Sequence, residues 1–522
     1  MTLENVIATN QAPAGLDNNL IDHLNAYDGE IGITDGVIYY GFPIFKNYEE
    51  QVVKTNFLLV SKKVGVVLFS TATSNTIEEK LESLNDTYNH VSSLLIKSTL
   101  LRTKNGKVQR NLVFDMDAKL YAQEPSDFAD DDSVITNLPD VSSFLSERDE
   151  KLTDEYIYEI RSILEGAKAL SKPTKRKSIT DNDNNKVNIL IKLEDEIINF
   201  DAEQRKAAIT LINGPQRIRG LAGSGKTVIL AMKLAAIHLQ EPDKKILFTF
   251  YTKSLYNLIK AFISKFYRHF SGNEPNWQNI DILHAWGGYK VEGVYFNAAT
   301  ENNIHPYSLD QAKQRDENDP FKYVCSELIK NQINEKYDYI LIDEAQDLPD
   351  EFFRICYALS KGKTGKDKNI VWAYDDLQTI FNIYTRSPVD LFGKDEEGNP
   401  RINLNEFSRN LSWGQSNDLV LHKCYRNPIH VLVTAHALGF GLYDIPVQIL
   451  ENVNHWNDVG YTLVDGKYIE GEKVILRRDF ENSPLSIVQN QTKEELISCH
   501  VSNSLQQEER WSHLFEQLKA YL

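Results

Sequence analysis

Residues Gly220-Leu-Ala-Gly-Ser-Gly-Lys-Thr227 constrain this chain more than any other stretch, because they fit the pattern GxxxxGK[ST] without a mismatch. Gly220, Gly223 and Gly225 let a backbone curl until its N–H groups point at a phosphate, an approach that larger side chains would obstruct. Ser224 belongs to the same curl. Lys226 adds a mobile positive charge for the β- and γ-phosphate oxygens, and Thr227 offers a hydroxyl to Mg²⁺. Before the loop, Gln216–Arg219 reads as the end of a strand. After it, Val228–Ile237 reads as a buried helix whose N-terminus favours an anion. The pattern predicts an α/β unit that binds ATP or GTP.

At 522 residues the chain exceeds what one core supports, and about three domains are expected. Its 42% apolar and 10% aromatic residues predict globular cores. A net charge of -17 excludes a protein that coats nucleic acid by bulk charge, but not one with a local basic groove. Cys325, Cys356, Cys424 and Cys499 lie far apart, in neither a zinc nor a disulfide spacing, which suits a reducing cytoplasm. The start, Met1-Thr-Leu-Glu-Asn5, lacks a basic region followed by an apolar one. No later apolar run reaches the roughly 18 residues of a membrane span, so a cytoplasmic protein without a membrane partner is expected.

Residues 1–170 read as a first α+β unit. Gly36–Phe45, Asn56–Val60 and Gly65–Phe69 have strand character. Thr76-Ile-Glu-Glu79 has the form of a capping box, and Ile77, Leu81, Leu84, Tyr88, Val91 and Leu95 then recur at helical spacing. Lys104-Asn-Gly-Lys107 predicts a hairpin turn flanked by Arg102 and Arg110. Asp130–Asp132 reads as a solvated loop, and Asp154–Leu170 as a second amphipathic helix. The basic and polar stretch 171–190, including Ser171–Lys177 and Thr180–Asn185, reads as a linker.

Tyr337-Asp-Tyr-Ile-Leu-Ile-Asp-Glu-Ala-Gln-Asp347 is the second decisive stretch. Its apolar run ends in adjacent carboxylates, which places both at the C-terminal edge of a parallel strand. There Asp343 would hold Mg²⁺ through its waters and Glu344 would orient and deprotonate an attacking water. Asn369–Phe381 reads as a further strand ending in polar residues, with Gln378 placed to sense a γ-phosphate.

The set GLAGSGKT, IDEAQD, DDLQTIF and CYRNP, in this order over roughly residues 195–440, is similar to superfamily 1 helicases of the UvrD/Rep/PcrA type. The resemblance implies a P-loop NTPase with a RecA-like parallel sheet, ATP and Mg²⁺ as cofactors, and single-stranded nucleic acid, most readily DNA, as partner. It implies a nucleotide-base contact at Gln204 and strand contacts at Thr252 and His284. It also implies γ-phosphate coupling at Gln378, adenine stacking at Tyr425 and an arginine finger at Arg426. The first RecA-like domain is then expected over 191–415, with a short polar insertion at 287–320, and an incomplete second one over 416–522. In that second part the strand-rich 461–478 and a final helix from Gln506 are expected, but no motif V or VI. The stacking aromatic and Arg that usually follow the coupling Gln are displaced, to Tyr384 and Arg386.

The N-terminal order of strands and helix resembles the nuclease-related domain (NERD), of the restriction-endonuclease-like group. Its metal-holding places correspond to Asn56, Ser70 and Ala72; Asn lacks the carboxylate charge that holds Mg²⁺, and Ser and Ala lack both charge and reach, so a degenerate nuclease kept for docking DNA or a partner protein is expected. The function expected is a nucleic-acid-coupled ATPase, with DNA repair or phage defence implied by the likeness. A full helicase whose remainder lies outside this chain stays open, as does a nucleotide-binding scaffold without turnover.

Overall fold

The computed structural model describes residues 3–9, 13–33, 35–46, 51–103, 111–123, 132–170, 200–375, 377, 386–409, 411, 415–427, 429–440, 455–467, 473–479 and 482–483. The predicted linker, the hairpin turn with Lys104, Lys107 and Arg110, Asp130 and Asp131, Gln378, Tyr384 and the final helix lie outside the described residues.

Two six-stranded sheets make the scaffold. The first contains β1 (Glu4–Ile7), β2 (Val37–Tyr40), β5 (Phe57–Ser61), β6 (Gly65–Ala72), β7 (Met116–Ala122) and β8 (Val134–Ile135), hydrogen-bonded in that order. It is mixed, because the hairpin connections around β5 are antiparallel whereas β1 and β7 arrive by helical crossovers and pair in parallel. A separate antiparallel pair, β3 (Ile44–Lys46) and β4 (Val52–Lys54), splits off where one continuous strand was expected from Gly36 to Phe45.

Two local expectations are corrected here. The helix Ile77–Leu95 forms, but Thr76 caps nothing: its hydroxyl donates to the Thr73 carbonyl instead of accepting from the first turn. The second helix stops at Leu164 and resumes only as a short turn over Ala167–Leu170, because Gly166 sits between them at φ +74. At the predicted hairpin, Arg102 and Leu112 pair as an antiparallel bridge.

The second sheet is parallel throughout, in the order β11 (Ile280–His284), β10 (Ile246–Phe250), β12 (Tyr339–Ile342), β13 (Asn369–Tyr374), β9 (Gln216–Gly220), β14 (Asp418–Leu421). Both of its faces are covered, as parallel sheets require. Tyr339 and Leu341 of β12 join one hydrophobic cluster, while Ile340 and Ile342 join another that holds Phe352 and Trp372. β14 lies beyond residue 415, where the following unit was expected to begin. It completes this sheet because Asp418 takes a two-pronged bond from Arg217 of β9, at 2.8 and 2.5 Å, and another from Arg219 at 3.2 Å. The stretch 287–320 is more ordered than a polar insertion suggests, with helices Val294–Glu301 and Leu309–Lys313. After β14, the described residues include one antiparallel pair, β15 (Tyr461–Asp465) and β16 (Ile475–Arg478).

The two sheets share a core. The cluster beneath β12 runs through Leu230 and Leu234 of helix Lys226–Gln240 and on to Tyr39, Phe42 and Ile44 of the N-terminal unit. Phe42 also meets Phe270 edge to face at 5.8 Å. A buried ionic group crosses the same boundary. Arg205, on helix Ala202–Ile209, bonds Glu165, reaches Glu4 at 2.8 Å and donates to the Phe200 carbonyl at 3.1 Å. Tyr39 donates its hydroxyl to the same Glu165. Among the described residues no helix is long and apolar enough to cross a membrane.

His238, on helix Lys226–Gln240, is fully buried, and its Nε2 accepts the Asn276 N–H at 3.1 Å. Burial lowers its pKa to about 4, so it folds neutral, whereas the unfolded chain titrates it near 6.5. The unfolded state therefore binds more protons between those values, and stability contributed by His238 above pH 6.5 is lost as the pH falls towards 4. The loss is at most about 3 kcal/mol. Urea unfolding of wild type and His238→Gln should diverge across this window, with the variant less acid-sensitive; parallel pH profiles would contradict the assignment.

Candidate functional site

The site forms where three strands of the parallel sheet end at the same edge. β9 runs into the glycine loop, β12 into Asp343 and Glu344, and β13, which lies between them, into Asp375. A parallel sheet brings such ends together because all its strands point one way.

Glycine is required by the local geometry of the loop. Gly223 has φ +82, and a Cβ there would fall 2.4 Å from the Cβ of Arg426. Gly225 has φ +92 and immediately precedes helix Lys226–Gln240, whose N-terminus faces the loop. Lys226 is buried, and its ammonium donates to the carbonyls of Gly220 and Leu221 at 2.8 and 3.2 Å. The Ser224 hydroxyl is buried without a hydrogen-bond partner.

Across from the loop, Asp343 is fully buried and accepts the Thr227 hydroxyl on Oδ2 at 2.7 Å. Its Oδ1 is buried and has no hydrogen-bond partner. Burial raises its pKa to about 6, with the Glu344 charge adding to the effect, while the Thr227 bond and Lys226 oppose it. An orphaned carboxylate oxygen beside a hydroxyl suits a hard cation. Among the described residues no cluster of three or more His, Cys, Asp or Glu side chains could hold a metal. A cation here would take Thr227 and Asp343 and draw its other oxygens from a ligand or water.

Glu344 has φ 47 and ψ 46, a left-handed backbone that costs a non-glycine residue about 1–2 kcal/mol. Gln346 fixes its carboxylate by donating to Oε2 at 2.6 Å, and accepts the Asp375 N–H at 3.2 Å. Gln346 and Asp375 thus tie the ends of β12 and β13 together, a role that sequence inspection missed. The signal available was the second polar strand end, Tyr374-Asp375. Arg386 braces the same turn, donating to the carbonyls of Ala345, Gln346 and Leu348 and to Asp350.

On the loop's other flank, Gln204 donates to the Ser224 carbonyl at 2.8 Å. Asp201, the cap of the Gln204 helix, accepts the Tyr425 hydroxyl at 2.7 Å. Tyr425 and Cys424 bond the carbonyls of Gly223 and Ala222, at 3.0 and 3.1 Å. Pairing of β14 with β9 is what lays Tyr425 and Arg426 against the loop.

Thr252 and His284 stand farther along the edge, after β10 and at the end of β11. Thr252 is exposed. His284 is buried, its pKa is lowered by burial, and its Nε2 accepts the Gly287 N–H at 3.0 Å, so it shapes a turn. That turn lines a 950 Å³ cavity with Tyr251, Lys253, Trp286, Tyr289 and Lys290. Tyr289 is 88% exposed, and Trp286 stacks on Phe321 at 5.1 Å. These aromatics were not singled out from the sequence, where nothing separates them from core residues.

In the N-terminal unit, Asn56 and Ser70 line a 270 Å³ cavity with Asp17, Lys54 and Lys80, and Ala72 is buried. Asp17 accepts from Tyr40 at 2.6 Å, from Asn56 at 3.4 Å and from Thr71. Its oxygens are therefore engaged by protein donors. No protein-family model matches the chain, and no curated protein matches it either.

Proposed function

We propose that the glycine loop binds ATP with magnesium and that the chain hydrolyses it, coupled to single-stranded nucleic acid, as superfamily 1 helicases of the UvrD type do. The observation that carries this reading is the Thr227–Asp343 bond, with Asp343 Oδ1 left buried and unpartnered beside a strained Glu344. Thr227 and Asp343 would hold the magnesium, which when bound supplies positive charge to the β- and γ-phosphates. Lys226 exchanges its two loop carbonyls for phosphate oxygens, and the loop N–H groups complete the cradle. Glu344, aimed by Gln346, accepts the proton of the attacking water. Arg426, packed on Gly223, supplies positive charge from the loop's open side.

On this reading the parallel sheet is a RecA-like ATPase fold. The first 170 residues are a nuclease-related domain that cannot cut, since Asn56, Ser70 and Ala72 offer no charge and both oxygens of Asp17 already accept protein hydrogen bonds.

The polymer would run over the cavity around Trp286 and Tyr289, where aromatic faces take bases and Lys253 and Lys290 take phosphates. Tyr289→Ala and Trp286→Ala should each weaken single-strand binding about tenfold, from a stacking energy of roughly 1–3 kcal/mol per base. Fluorescence anisotropy with a labelled single-stranded DNA measures this. Unchanged affinity in both variants would move the strand to another surface.

A further inference from the structure

We infer that a basic cavity at the opposite edge of the parallel sheet is a second anion site, taking a small ligand that carries two or more neighbouring phosphate groups. The cavity measures 710 Å³, a volume suited to a nucleotide-sized ligand, and its walls carry Arg354, Lys363, Lys368, Lys394 and Arg401 against one carboxylate, Glu335. Such a gathering is unusual in a chain of net charge -17. Like charges repel, so their convergence from separate segments costs free energy unless a counter-charge arrives. Arg354 comes from helix Asp350–Leu359, Lys363 and Lys368 from the residues before β13, and Lys394 and Arg401 from those after helix Pro388–Phe392.

Backbone carbonyls answer part of that charge, Lys368 donating to Ser360 and Arg354 to Asp390 at 3.3 Å, but carboxylates answer little of it. Glu335 pairs with Lys368 at 3.2 Å, and among the described residues the other four cations have no carboxylate partner. Nε of Arg354 is buried without any hydrogen-bond acceptor. Nearby acids are committed to their own turns: Asp367 accepts from Thr364, and Asp395 from the N–H groups of Glu397 and Asn399.

Phosphate fits this set better than a nucleic-acid strand does. Arginine forks and lysine point charges match clustered phosphate oxygens. A strand held by stacking of its bases would need a free ring face, and here the Tyr357 ring is covered by Lys368 at 4.7 Å and Arg401 at 5.4 Å. The cavity is separate from the glycine loop. Lys368 immediately precedes β13 and Asp375 immediately follows it, and a six-residue strand spans about 20 Å. One bound triphosphate cannot occupy both ends.

Calorimetric titration of the full chain with inorganic tripolyphosphate tests the site. In Lys226→Ala, which disables the loop and not this cavity, binding should remain, and adding Lys394→Gln/Arg401→Gln to that variant should weaken it at least tenfold. A parallel titration with a nucleoside triphosphate, read in Lys226→Ala, distinguishes a nucleotide ligand from bare polyphosphate by which binds more tightly. Lys363→Gln, on an exposed loop, gives a second reading, about threefold weaker, should the double variant melt early. Equal binding by Lys226→Ala with and without either set of cavity substitutions would overturn the inference. Affinity no better than that for sulfate, or displacement by a single-stranded oligonucleotide, would do the same.

Discussion

Lys226→Ala should abolish ATP turnover, and Glu344→Gln should hold ATP while releasing almost no phosphate. The two variants fail for different reasons. Among the described residues Lys226 is the one side-chain ammonium bonded to the loop itself, through Gly220 and Leu221, so its removal strips charge from the place where phosphates would sit. Glu344 lies across from the loop, in a left-handed backbone held by Gln346, and its amide isostere keeps shape while losing the base. Losses of about 10³-fold in turnover are expected from removing a preorganised charge or base of this kind. Phosphate release with and without single-stranded DNA, beside equilibrium ATP binding, reads both quantities. Wild-type rates in either variant would refute the site assignment. Tight ATP binding without wild-type turnover would leave a nucleotide-gated scaffold.

The second large effect is on stability. Arg205→Met should destabilise the fold by about 3–5 kcal/mol, because it leaves Glu165 buried without its cation. Glu165 is 1% exposed, and burial pushes its pKa up while Arg205 pulls it down. Replacing both Arg205 and Glu165 with apolar residues should cost less than replacing Arg205 alone, since the buried Glu165 charge is gone and only the partly buried Glu4 loses a partner. Chemical unfolding of the two single variants and the double variant completes the cycle. Arg205 neighbours Gln204, whose amide bonds the Ser224 carbonyl, so weaker ATP binding should accompany the lost stability. A wild-type unfolding midpoint for Arg205→Met would show that the ionic group contributes nothing.

The α/β character was legible because it depends on contiguous residues. GLAGSGKT and the apolar run before Asp343 state their local structure directly, and a parallel sheet follows from strands separated by helical patterns. Pairings between distant residues left no such trace. Nothing in Asp418–Leu421 says that it will lie beside Gln216–Gly220; the bonds from Arg217 and Arg219 decide it. Asp375 and Gln346 matter only because two strand ends touch. Thr76 misled for the opposite reason: the motif was present, but the hydroxyl found a nearer carbonyl at Thr73. Asp17 went unnoticed because its partners Tyr40, Asn56 and Thr71 come from three different strands or strand edges.

The cluster shared by the two sheets bears on how this chain can be dissected. Leu230, Leu234 and Phe266 belong to the same buried apolar cluster as Tyr39, Phe42 and Ile44. Cutting after residue 170 would strip a large apolar wall of its cover and strand Arg205 without Glu4 and Glu165. The amino-terminal unit thus covers an apolar face of the parallel-sheet unit, and a fragment beginning after residue 170 is expected to aggregate.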